Sequence, residues 1–588
     1  LKNEDISIYD FSYSNNIGRK HRKVKKACWF INRNDLLRQL KNNLEEQSDK
    51  KSTHELVQVY ETGKKIDWEE HYQGKNVRMI SLPTYPFERH RYWYAEKMQD
   101  SINDRKVSLI GKEVENYTLL EEKLGQIWAE TLGYSSLNVY EDFYNLGGDS
   151  ILANKLVNQI NGRLSYHLSV SDLFSHATIS HLAKFLEGKD EVKSEQIERV
   201  EKQPFYKVSD AQLDIFLAQE SQKFSTAYNL PLVLQLNGKV DISRLEFAIN
   251  RVIERHESLR SNFYIVNDNV VQIVHDQKQL QLNIQNCERA EIPKLYHDFI
   301  RAFDLADDLL IRAKLYHLSD SESMLFLDSH HIVADGLSMA ILQKEILSLY
   351  EGASLPKLSL QYKDYCYWLV GKTETEEYKD SESYWKEKIE EGRTAASLPF
   401  IGEKNADKPF GKVEFTLDKK DYQNIQKTCK KYKTTAFSYF VSALNLVLRK
   451  YSGENVFSIG TTLHGRTHVQ LESMIGMFVN TLPIINTVDE QASCAELLTQ
   501  VTETVKKAYE YQNYSYGKMK QLNEDLDGEL FEVMIAFQEK NYSAISLREM
   551  TVSTITIGNE ESKYPLTVYV FPFEDYYRVD VHYQTEKI

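Results

Sequence analysis

Cysteine and proline are scarce in this chain, which has five cysteines and 11 prolines among its 588 residues. The cysteines stand far apart, at Cys28, Cys287, Cys366, Cys429 and Cys494. Their spacing matches neither a metal site nor a redox pair, and so few cysteines in a long chain argue against a disulfide-built scaffold. We expect free, buried thiols in a reducing cytoplasm.

Long apolar runs and an excess of basic residues are also missing. No stretch approaches the length of a membrane span, and no secretory signal opens the chain. Acidic residues outnumber basic ones by 86 to 72, a net charge of −14, so the chain lacks the positive surface that neutralises phosphates. These absences predict a cytoplasmic protein with no membrane span and no nucleic-acid partner. The chain begins with Leu1 instead of methionine, and we expect it to be a piece of a longer protein.

Three compact segments separated by two polar linkers follow from the composition along the chain, which is 42% hydrophobic and 27% charged overall. The first segment, residues 1–96, ends in a proline- and aromatic-rich stretch that cannot be the interior of a helix. We predict a small α/β domain there, closed by an extended strap, with one helix at residues 34–46. The polar residues 97–116 form the first predicted linker.

The second segment, residues 117–187, shows helical spacing of its apolar residues in four stretches. The spacing predicts a small four-helix bundle with helices near residues 119–132, 151–160, 168–174 and 179–185. A second linker, residues 188–204, is almost wholly charged or polar and is expected to be flexible.

The remaining residues, 205–588, mix strand-like alternation with helical periodicity. Strands are predicted at residues 230–236 and 413–417, and helices at residues 242–254, 339–350 and 436–451. This is α/β material of about 380 residues, too much for one ordinary core. We therefore expect two lobes, residues 205–375 and 376–588.

A glycine turn precedes a serine within the predicted bundle. Gly147 and Gly148 permit a tight turn, and Ser150 then falls at the start of a helix. Unpaired amides and the helix dipole at such a start favour a phosphate group, which suits a serine that carries a phosphodiester. A plain capping serine after a glycine loop is the alternative that this spacing leaves open.

The stretch around this turn is more specific than the turn itself. Val139–Ser150, with the sequence VYEDFYNLGGDS, resembles the phosphopantetheine attachment motif of acyl and peptidyl carrier proteins. The resemblance implies that a phosphopantetheinyl transferase adds 4′-phosphopantetheine to Ser150. It also implies that the thiol of this group holds acyl intermediates as thioesters.

The strongest signal in the chain is the octapeptide SHHIVADG at residues 329–336. It places two imidazoles, His330 and His331, shortly before the carboxylate of Asp335 and the glycine Gly336. An imidazole titrates near neutral pH and can take or steer a proton. A metal site, a Ser-His-Asp hydrolase and a structural loop with buried histidines compete on spacing alone. No nearby cluster supplies further metal ligands and no Gly-x-Ser-x-Gly elbow is present, so we expect no metal, and the structural loop stays open.

The octapeptide resembles the HHxxxDG active-site motif of nonribosomal peptide synthetase condensation domains. Four further stretches resemble motifs of that family in the same order, at Ser209–Gln212, Arg255–Phe263, Tyr362–Tyr365 and Ile475–Pro483. The resemblance implies two chloramphenicol-acetyltransferase-like lobes that form a V, with the histidine loop in a tunnel between them. It also implies an acyltransferase that forms an amide from two thioester-bound substrates.

The family resemblance assigns roles to individual residues. It implies that His331 acts on the acceptor amine, as a general base or as a positioning group, and that His330 supports it by packing. Asp335 is expected to hold the loop through a cation, for which Arg466 is the candidate, and Gly336 to let substrate or backbone approach closely. Cyclising relatives carry Asp-x-x-x-x-Asp-x-x-Ser instead, and His330 stands at the first of these aspartate positions.

Two further resemblances indicate the type of assembly line. Leu213 and Asp214 stand where the family commonly has an arginine, which resembles the starter or hybrid subtype that accepts non-amino-acid donors. Tyr85–Trp93, with the sequence YPFERHRYW, resembles the strap that follows ketosynthase domains in polyketide synthases whose acyltransferase acts in trans. Residues 1–96 are then a ketosynthase-associated linker domain of a hybrid polyketide–peptide line. The final Tyr583–Glu586 resembles a motif shortly before the family's usual terminus, so we expect the second lobe to be slightly truncated.

The resemblance also implies partners for the chain. We expect an upstream ketosynthase, downstream adenylation and carrier modules, a phosphopantetheinyl transferase, and acyl and aminoacyl thioester substrates. The predicted reaction joins a polyketide or β-amino acyl donor on Ser150 to the amine of an acceptor on a downstream carrier. Two alternatives stay open: a condensation-like domain that only docks or gates carriers, and a variant that forms an ester or removes water.

Overall fold

The computed structural model describes residue 72 and residues 107–113, 116–143, 146–148, 150–189, 196–392, 398, 410–522, 529–538, 544–557, 563–573 and 575–587. The chain divides into two compact units, Leu1–Lys97 and Met98–Ile588, and the following description concerns the second. The domain, helix and strap predicted for residues 1–96 lie outside the described residues, apart from Tyr72.

A small helical bundle occupies the described residues between 107 and 189. Its helices are α1 (Leu119–Leu132), α2 (Ser150–Leu164), α3 (Val170–Ser175) and α4 (Ile179–Glu187). Side-chain oxygens of Thr118, Ser169 and Thr178 accept main-chain N–H groups at the starts of α1, α3 and α4. A core that includes the fully buried Trp128 and Phe143 holds the helices together. The four predicted helices are confirmed.

The prediction of a linker over residues 97–116 is wrong for its last part, because a strand within that part belongs to the bundle. β1 (Ser108–Ile110) pairs in parallel with β2 (Ser136–Asn138). Leu109 packs against Gly125, where an added Cβ would lie 2.5 Å from the leucine Cδ2 atom. One apolar side chain therefore anchors a stretch whose average composition is polar.

Two six-stranded sheets form the framework of the large unit, the described residues from 196 to 587. In spatial order, the first contains β14 (Ile545–Ser546), β15 (Met550–Ile555), β4 (Asn229–Gly238), β9 (Glu322–His330), β8 (Ile311–Ser319) and β7 (Asn283–Asn286). The second contains β10 (Phe410–Leu417), β17 (Tyr577–Gln584), β16 (Leu566–Pro572), β13 (Val533–Phe537), β11 (Val456–Leu463) and β12 (Asn480–Thr487). A three-stranded sheet contains β3 (Tyr206–Lys207), β6 (Asn269–Val274) and β5 (Ser261–Val266).

The helices of the large unit alternate with these strands along the chain. They are α5 (Asp210–Ser221), α6 (Ile242–Arg255), α7 (Ile292–Phe299), α8 (Gly336–Tyr350), α9 (Tyr362–Lys372), α10 (Glu376–Gly392), α11 (Lys419–Tyr432), α12 (Ala436–Ser452), α13 (Cys494–Glu510) and α14 (Tyr516–Gln521). The predicted strands and helices of this region are confirmed, with ends that differ by a few residues. None of the described helices combines the length and apolar character needed to cross a bilayer.

Each six-stranded sheet has its own hydrophobic core, which gives the large unit two lobes. The predicted division after residue 375 falls just before α10, whose buried Trp385 belongs to the second core. One segment departs from this division, because β15 pairs with β4 of the first lobe although it follows β13 of the second in the chain. The sequence pattern of a strand gives its faces but not its partner, so alternation could not predict this exchange.

The second predicted linker is not flexible over its last residues. Ile197 is 3% exposed and belongs to the core of the first lobe. The N–H of Ile197 donates to Gln470 Oε1 at 3.1 Å, and the N–H of Val200 donates to Asp364 Oδ1 at 2.9 Å. The expectation of a flexible stretch over residues 188–204 is therefore wrong from residue 196 onward.

The substitution Ile197→Ala tests this anchoring. Removing a fully buried isoleucine side chain should lower the free energy of unfolding of the first lobe by about 2–4 kcal/mol. The neighbouring Glu198→Ala removes an exposed side chain and should change it by less than about 0.5 kcal/mol. Urea unfolding of the purified chain measures both, and equal effects of the two substitutions would contradict the anchoring.

Candidate functional site

The histidine loop lies between a strand and a helix of the first lobe. β9 ends at His330 and α8 begins at Gly336, while β4 and β8 pair with β9 on its two sides. Asp335 caps α8, because its Oδ1 accepts the N–H of Ser338 at 2.7 Å. Regular structure therefore fixes the loop at both ends and gives its side chains defined positions.

A buried ion pair joins this loop to the second lobe. Asp335 is 0% exposed and Arg466, which follows β11, is 7% exposed. Arg466 Nη1 donates to Asp335 Oδ2 at 2.9 Å, and Nη2 donates to Oδ1 at 3.3 Å. Burial alone would raise the pKa of Asp335, but the charge and hydrogen bonds of Arg466 outweigh it and hold that pKa below its usual value. Arg466 is thus the cation that contacts the loop carboxylate.

The ion pair continues into a network with the chain segment that precedes β12. Arg466 Nη2 also donates to Ser338 Oγ and to the Met474 carbonyl, both at 3.0 Å. The Phe478 N–H donates to Asp335 Oδ2 at 3.1 Å, and the Arg466 guanidinium lies 4.2 Å from the centre of the Phe478 ring. Both charges therefore have several partners, which a buried ion pair needs to offset its loss of hydration.

His331 keeps part of its surface exposed, unlike the buried residues on either side of it. Its main-chain N–H donates to the Tyr228 carbonyl at 2.8 Å, and its Nδ1 lies 3.2 Å from the sulfur of Met477. Loss of hydration lowers the pKa of His331, and the charge of Asp335 is the largest opposing effect. The imidazole is therefore neutral at pH 7, which is the form that can accept a proton.

The imidazole of His330 has protein contacts at both ring nitrogens and on its ring. Its Nδ1 accepts the N–H of Ile332 at 3.2 Å, so the ring proton is on Nε2, which lies 3.5 Å from Gln219 Oε1. The rings of Phe303 and His330 pack in a T-shaped arrangement, with 5.9 Å between the ring centres. Burial lowers the pKa of His330 to about 3, so this ring stays neutral throughout the physiological range. These contacts fit the supporting role expected from the sequence.

Gly336 has open space on the side where a side chain would stand. An added Cβ there would meet no atom within 4 Å, apart from its own chain neighbours and helix backbone. This space leaves room for substrate, and the predicted close approach of substrate or backbone stays a prediction. Among the described residues, no group of three or more histidine, cysteine, aspartate or glutamate side chains is placed to hold a metal ion.

Sequence reasoning did not single out three side chains that complete the site. Met477 contacts His331, and the pair His256–Glu345 supports the segment beside it. His256 Nε2 donates to Glu345 Oε2 at 2.8 Å, and its Nδ1 accepts the N–H of Ile475 at 3.3 Å. Met477 and His256 both lie within stretches that resemble family motifs, but a motif does not show which of its side chains faces the loop.

The serine turn of the bundle depends on its two glycines. Gly147 has a φ of +81°, in the left-handed region that favours glycine. A Cβ on Gly148 would lie 2.3 Å from the ring of Phe143. Ser150 follows as the first residue of α2, where unpaired main-chain N–H groups favour an anion. The turn therefore fits a phosphate ester attached at the start of this helix.

A cleft lies between α2 and the second lobe. It has an empty volume of about 750 Å³, part of it open to solvent. Asn154, about one helical turn after Ser150, lines it from the bundle, and Phe437, Gln512 and Arg466 line it from the large unit. Arg466 thus lines this cleft together with the residues before it, and its guanidinium contacts the histidine loop.

Two family models match the chain in separate stretches. Residues 202–587 match the condensation domain, and residues 122–186 match the phosphopantetheine attachment site. The chain belongs to the condensation-domain family. Condensation domains of nonribosomal peptide synthetases are acyltransferases that form amide bonds, and the bundle is a carrier domain of the kind that holds 4′-phosphopantetheine covalently on a serine.

The curated relatives are much longer synthetases. Tyrocidine synthase 3 of Brevibacillus parabrevis is 32% identical over 455 residues, which are 76% of this chain and 7% of the relative. Gramicidin S synthase 2 of Brevibacillus brevis is 30% identical over 491 residues, which are 82% of this chain and 11% of the relative. The chain therefore spans only a small part of the length of either relative.

Solved structures match the large unit. The X-domain in complex with OxyB from teicoplanin biosynthesis has a TM-score of 0.60 at 23% identity and covers 67% of this chain and 91% of that one. The condensation domain from the monacolin K polyketide synthase MokA has a TM-score of 0.58 at 20% identity and covers 66% of this chain and 94% of that one. The predicted two-lobed, chloramphenicol-acetyltransferase-like fold is confirmed.

The substitution Arg466→Met tests the buried ion pair. It leaves the Asp335 carboxylate buried without its cation, and it should lower the free energy of unfolding at pH 7 by about 3 kcal/mol or more. The double variant Asp335→Asn with Arg466→Met removes both charges and should recover most of this loss. Chemical unfolding of the parent, Arg466→Met and the double variant measures the difference, and a double variant no more stable than Arg466→Met would contradict the pairing.

The loss of stability in the single variant Arg466→Met is predicted to depend on pH. In the parent, Arg466 keeps Asp335 ionised, so the stabilisation from its lowered pKa is present above the unfolded-state value of about 4 and is lost below it. In Arg466→Met, burial raises the pKa of Asp335, and the resulting penalty shrinks as the carboxylate takes up a proton. The difference in unfolding free energy between parent and variant should therefore be smaller at pH 5 than at pH 8, and an equal difference would contradict this assignment.

Proposed function

We propose that the chain joins an acyl group carried on Ser150 to the amine of an acceptor held by a downstream carrier domain. When bound, 4′-phosphopantetheine supplies a thiol that holds the acyl donor as a thioester. The amide C–N bond forms, the thioester C–S bond breaks, and the proton lost by the amine balances the one gained by the released thiol. The partly exposed, neutral imidazole of His331 is the observation that supports this proposal most.

His331 is assigned to the acceptor amine. A lowered pKa keeps its ring unprotonated, so it can accept a hydrogen bond from the amine and take up its proton as the amide forms. A protonated imidazole would repel an ammonium group and could do neither. The loop that carries His331 is held by Asp335 and Arg466, so the ring has a fixed position relative to both lobes.

Placement of two tethered substrates supplies much of the remaining acceleration. A thioester is already activated, and an oriented amine reacts with it without a covalent enzyme intermediate. Ser150 is assigned as the attachment residue because it is the first residue of α2, directly after the glycine turn, and the unpaired N–H groups of a helix start favour a phosphate ester. The cleft bordered by Asn154 and Arg466 is assigned as the approach from the carrier domain to the loop.

The type of assembly line to which the chain belongs is proposed from the sequence resemblances. The stretch Tyr85–Trp93 supports a ketosynthase upstream, in a synthase whose acyltransferase acts in trans, and the pair Leu213-Asp214 supports a donor that is not an α-amino acid. We therefore propose a polyketide or β-amino acyl donor at the junction of a hybrid line. Adenylation and carrier modules downstream would supply the aminoacyl thioester, and all these steps take place in the cytoplasm.

The substitution His331→Ala tests catalysis. With the donor loaded on Ser150 and an aminoacyl thioester offered as acceptor, transfer should fall by about 100-fold or more, because the group that handles the amine proton is lost. His297→Ala removes an exposed histidine of α7 and serves as the matched control. Intact-protein and product mass spectrometry measure the acyl group that leaves the carrier and the amide that appears.

Each outcome of this assay separates the alternatives. Transfer by His331→Ala at the rate of the parent would leave only a carrier-docking or gating role. A product mass that corresponds to an ester, or to loss of water without joining, would replace amide formation by those variants of the reaction.

The substitution Ser150→Ala tests the attachment residue separately. A phosphopantetheinyl transferase with coenzyme A should add one phosphopantetheinyl group to the parent and none to this variant, because the only proposed acceptor hydroxyl is missing. Ser180→Ala, in α4 of the same bundle, should be modified like the parent. An unmodified parent, or a modified Ser150→Ala, would contradict the assignment.

A further inference from the structure

The face of α2 opposite the carrier core is seated on the condensation domain through polar contacts. Asn158 Nδ2 donates to the Arg466 carbonyl at 2.6 Å, and Gln159 Nε2 donates to Glu472 Oε2 at 2.7 Å. Asn158 and Gln159 are each 8% exposed, although both are polar residues of a small bundle's surface helix. Buried polar contacts of this kind make docking of the carrier domain specific, but they hold it less permanently than an apolar interface would.

The fit at this seat is also steric. Gly162, one turn further along α2, faces Val469, and an added Cβ would lie 2.6 Å from the valine Cγ1 atom. Gly465, which precedes the seated carbonyl, has a φ of +60°, and an added Cβ there would lie 1.8 Å from the Phe478 oxygen. The main chain around Arg466 therefore has little freedom to move independently of its neighbours.

Arg466 is the residue shared by the seat and the histidine loop. Its carbonyl accepts from Asn158 of the carrier domain, while its guanidinium donates to the carboxylate of Asp335. The contact with the carrier domain and the contact with the loop are therefore linked through the Cα atom and side chain of one residue. The carrier and the loop are thus two hydrogen bonds apart, through a single side chain and its own main chain.

We propose that Asn158 is a positioning residue through which seating of the carrier domain orders the Asp335–Arg466 pair and, with it, the His331 loop. The site is then most competent when its own donor carrier is seated. This inference deepens the proposed function and rests on it only for the activity measurement below.

Hydrogen–deuterium exchange of the full chain tests the coupling without any reaction. In Asn158→Ala, the peptides that contain the Ser338 and Phe478 N–H groups, both donors to Asp335, should exchange about three to ten times faster than in the parent. Gln159→Ala is the matched control, because it removes a seat contact of the same helix and leaves the Arg466 carbonyl bonded. Its effect on the same peptides should be clearly smaller.

Transfer from a small-molecule acyl thioester supplies the second measurement. In chains that also carry Ser150→Ala, the donor cannot be tethered, so an effect on kcat at an unchanged KM of the donor points to the loop, and an effect on KM points to donor access through the cleft. Asn158→Ala should lower kcat about threefold to tenfold with little change in the KM of the donor, and more than Gln159→Ala does.

The results separate this inference from the proposed function. Loop exchange in Asn158→Ala equal to that of the parent, or equal to that of Gln159→Ala, would overturn the coupling. Absence of transfer in the Ser150→Ala parent would instead count against the proposed function, and the exchange experiment would still decide the coupling.

Discussion

The geometry of the site depends on one buried ion pair, between Asp335 of the first lobe and Arg466 of the second. Two charges withdrawn from water are costly unless their mutual attraction and additional hydrogen bonds offset the lost hydration. Here the carboxylate also accepts N–H groups of Ser338 and Phe478, and the guanidinium also donates to Ser338 and Met474. The pair therefore fixes the start of α8, the end of β9 and the segment before β12 relative to one another, and two lobes with separate cores meet in one defined arrangement.

This constraint explains why two adjacent histidines differ. Both rings are neutral because burial disfavours their charged forms. His330 has one ring nitrogen bonded to the Ile332 N–H and the other near Gln219, so its ring serves packing. His331 lies just beyond the end of β9, donates its main-chain N–H to the Tyr228 carbonyl and keeps part of its surface exposed. In the loop held at Asp335, the imidazole of His331 thus stays partly exposed and that of His330 is buried.

Much of this could be predicted from the sequence because the relevant signals are local. Helical periodicity located the carrier helices and the long helices of both lobes, and motif resemblance located His331 and selected Arg466 as the partner of Asp335. What could not be predicted depends on contacts between distant segments. The anchoring of Ile197, the pairing of β15 with β4 and the contact of Met477 with His331 each join residues more than 100 positions apart. An isolated apolar residue in a polar linker, or a strand with two available sheets, has no periodicity that reveals its partner.

Cargo attached to Ser150 must reach the imidazole of His331 if the chain works as proposed. A crystal structure of the chain with a hydrolysis-resistant amide analogue of the acyl donor, attached to Ser150 through its phosphopantetheine, would show the path that the cargo takes. We expect the attached group to pass the cleft beside Arg466 and to place the analogue's carbonyl group next to His331. An attached group that is ordered outside the cleft, or a His331 ring separated from it by protein, would show that the cargo does not reach this imidazole.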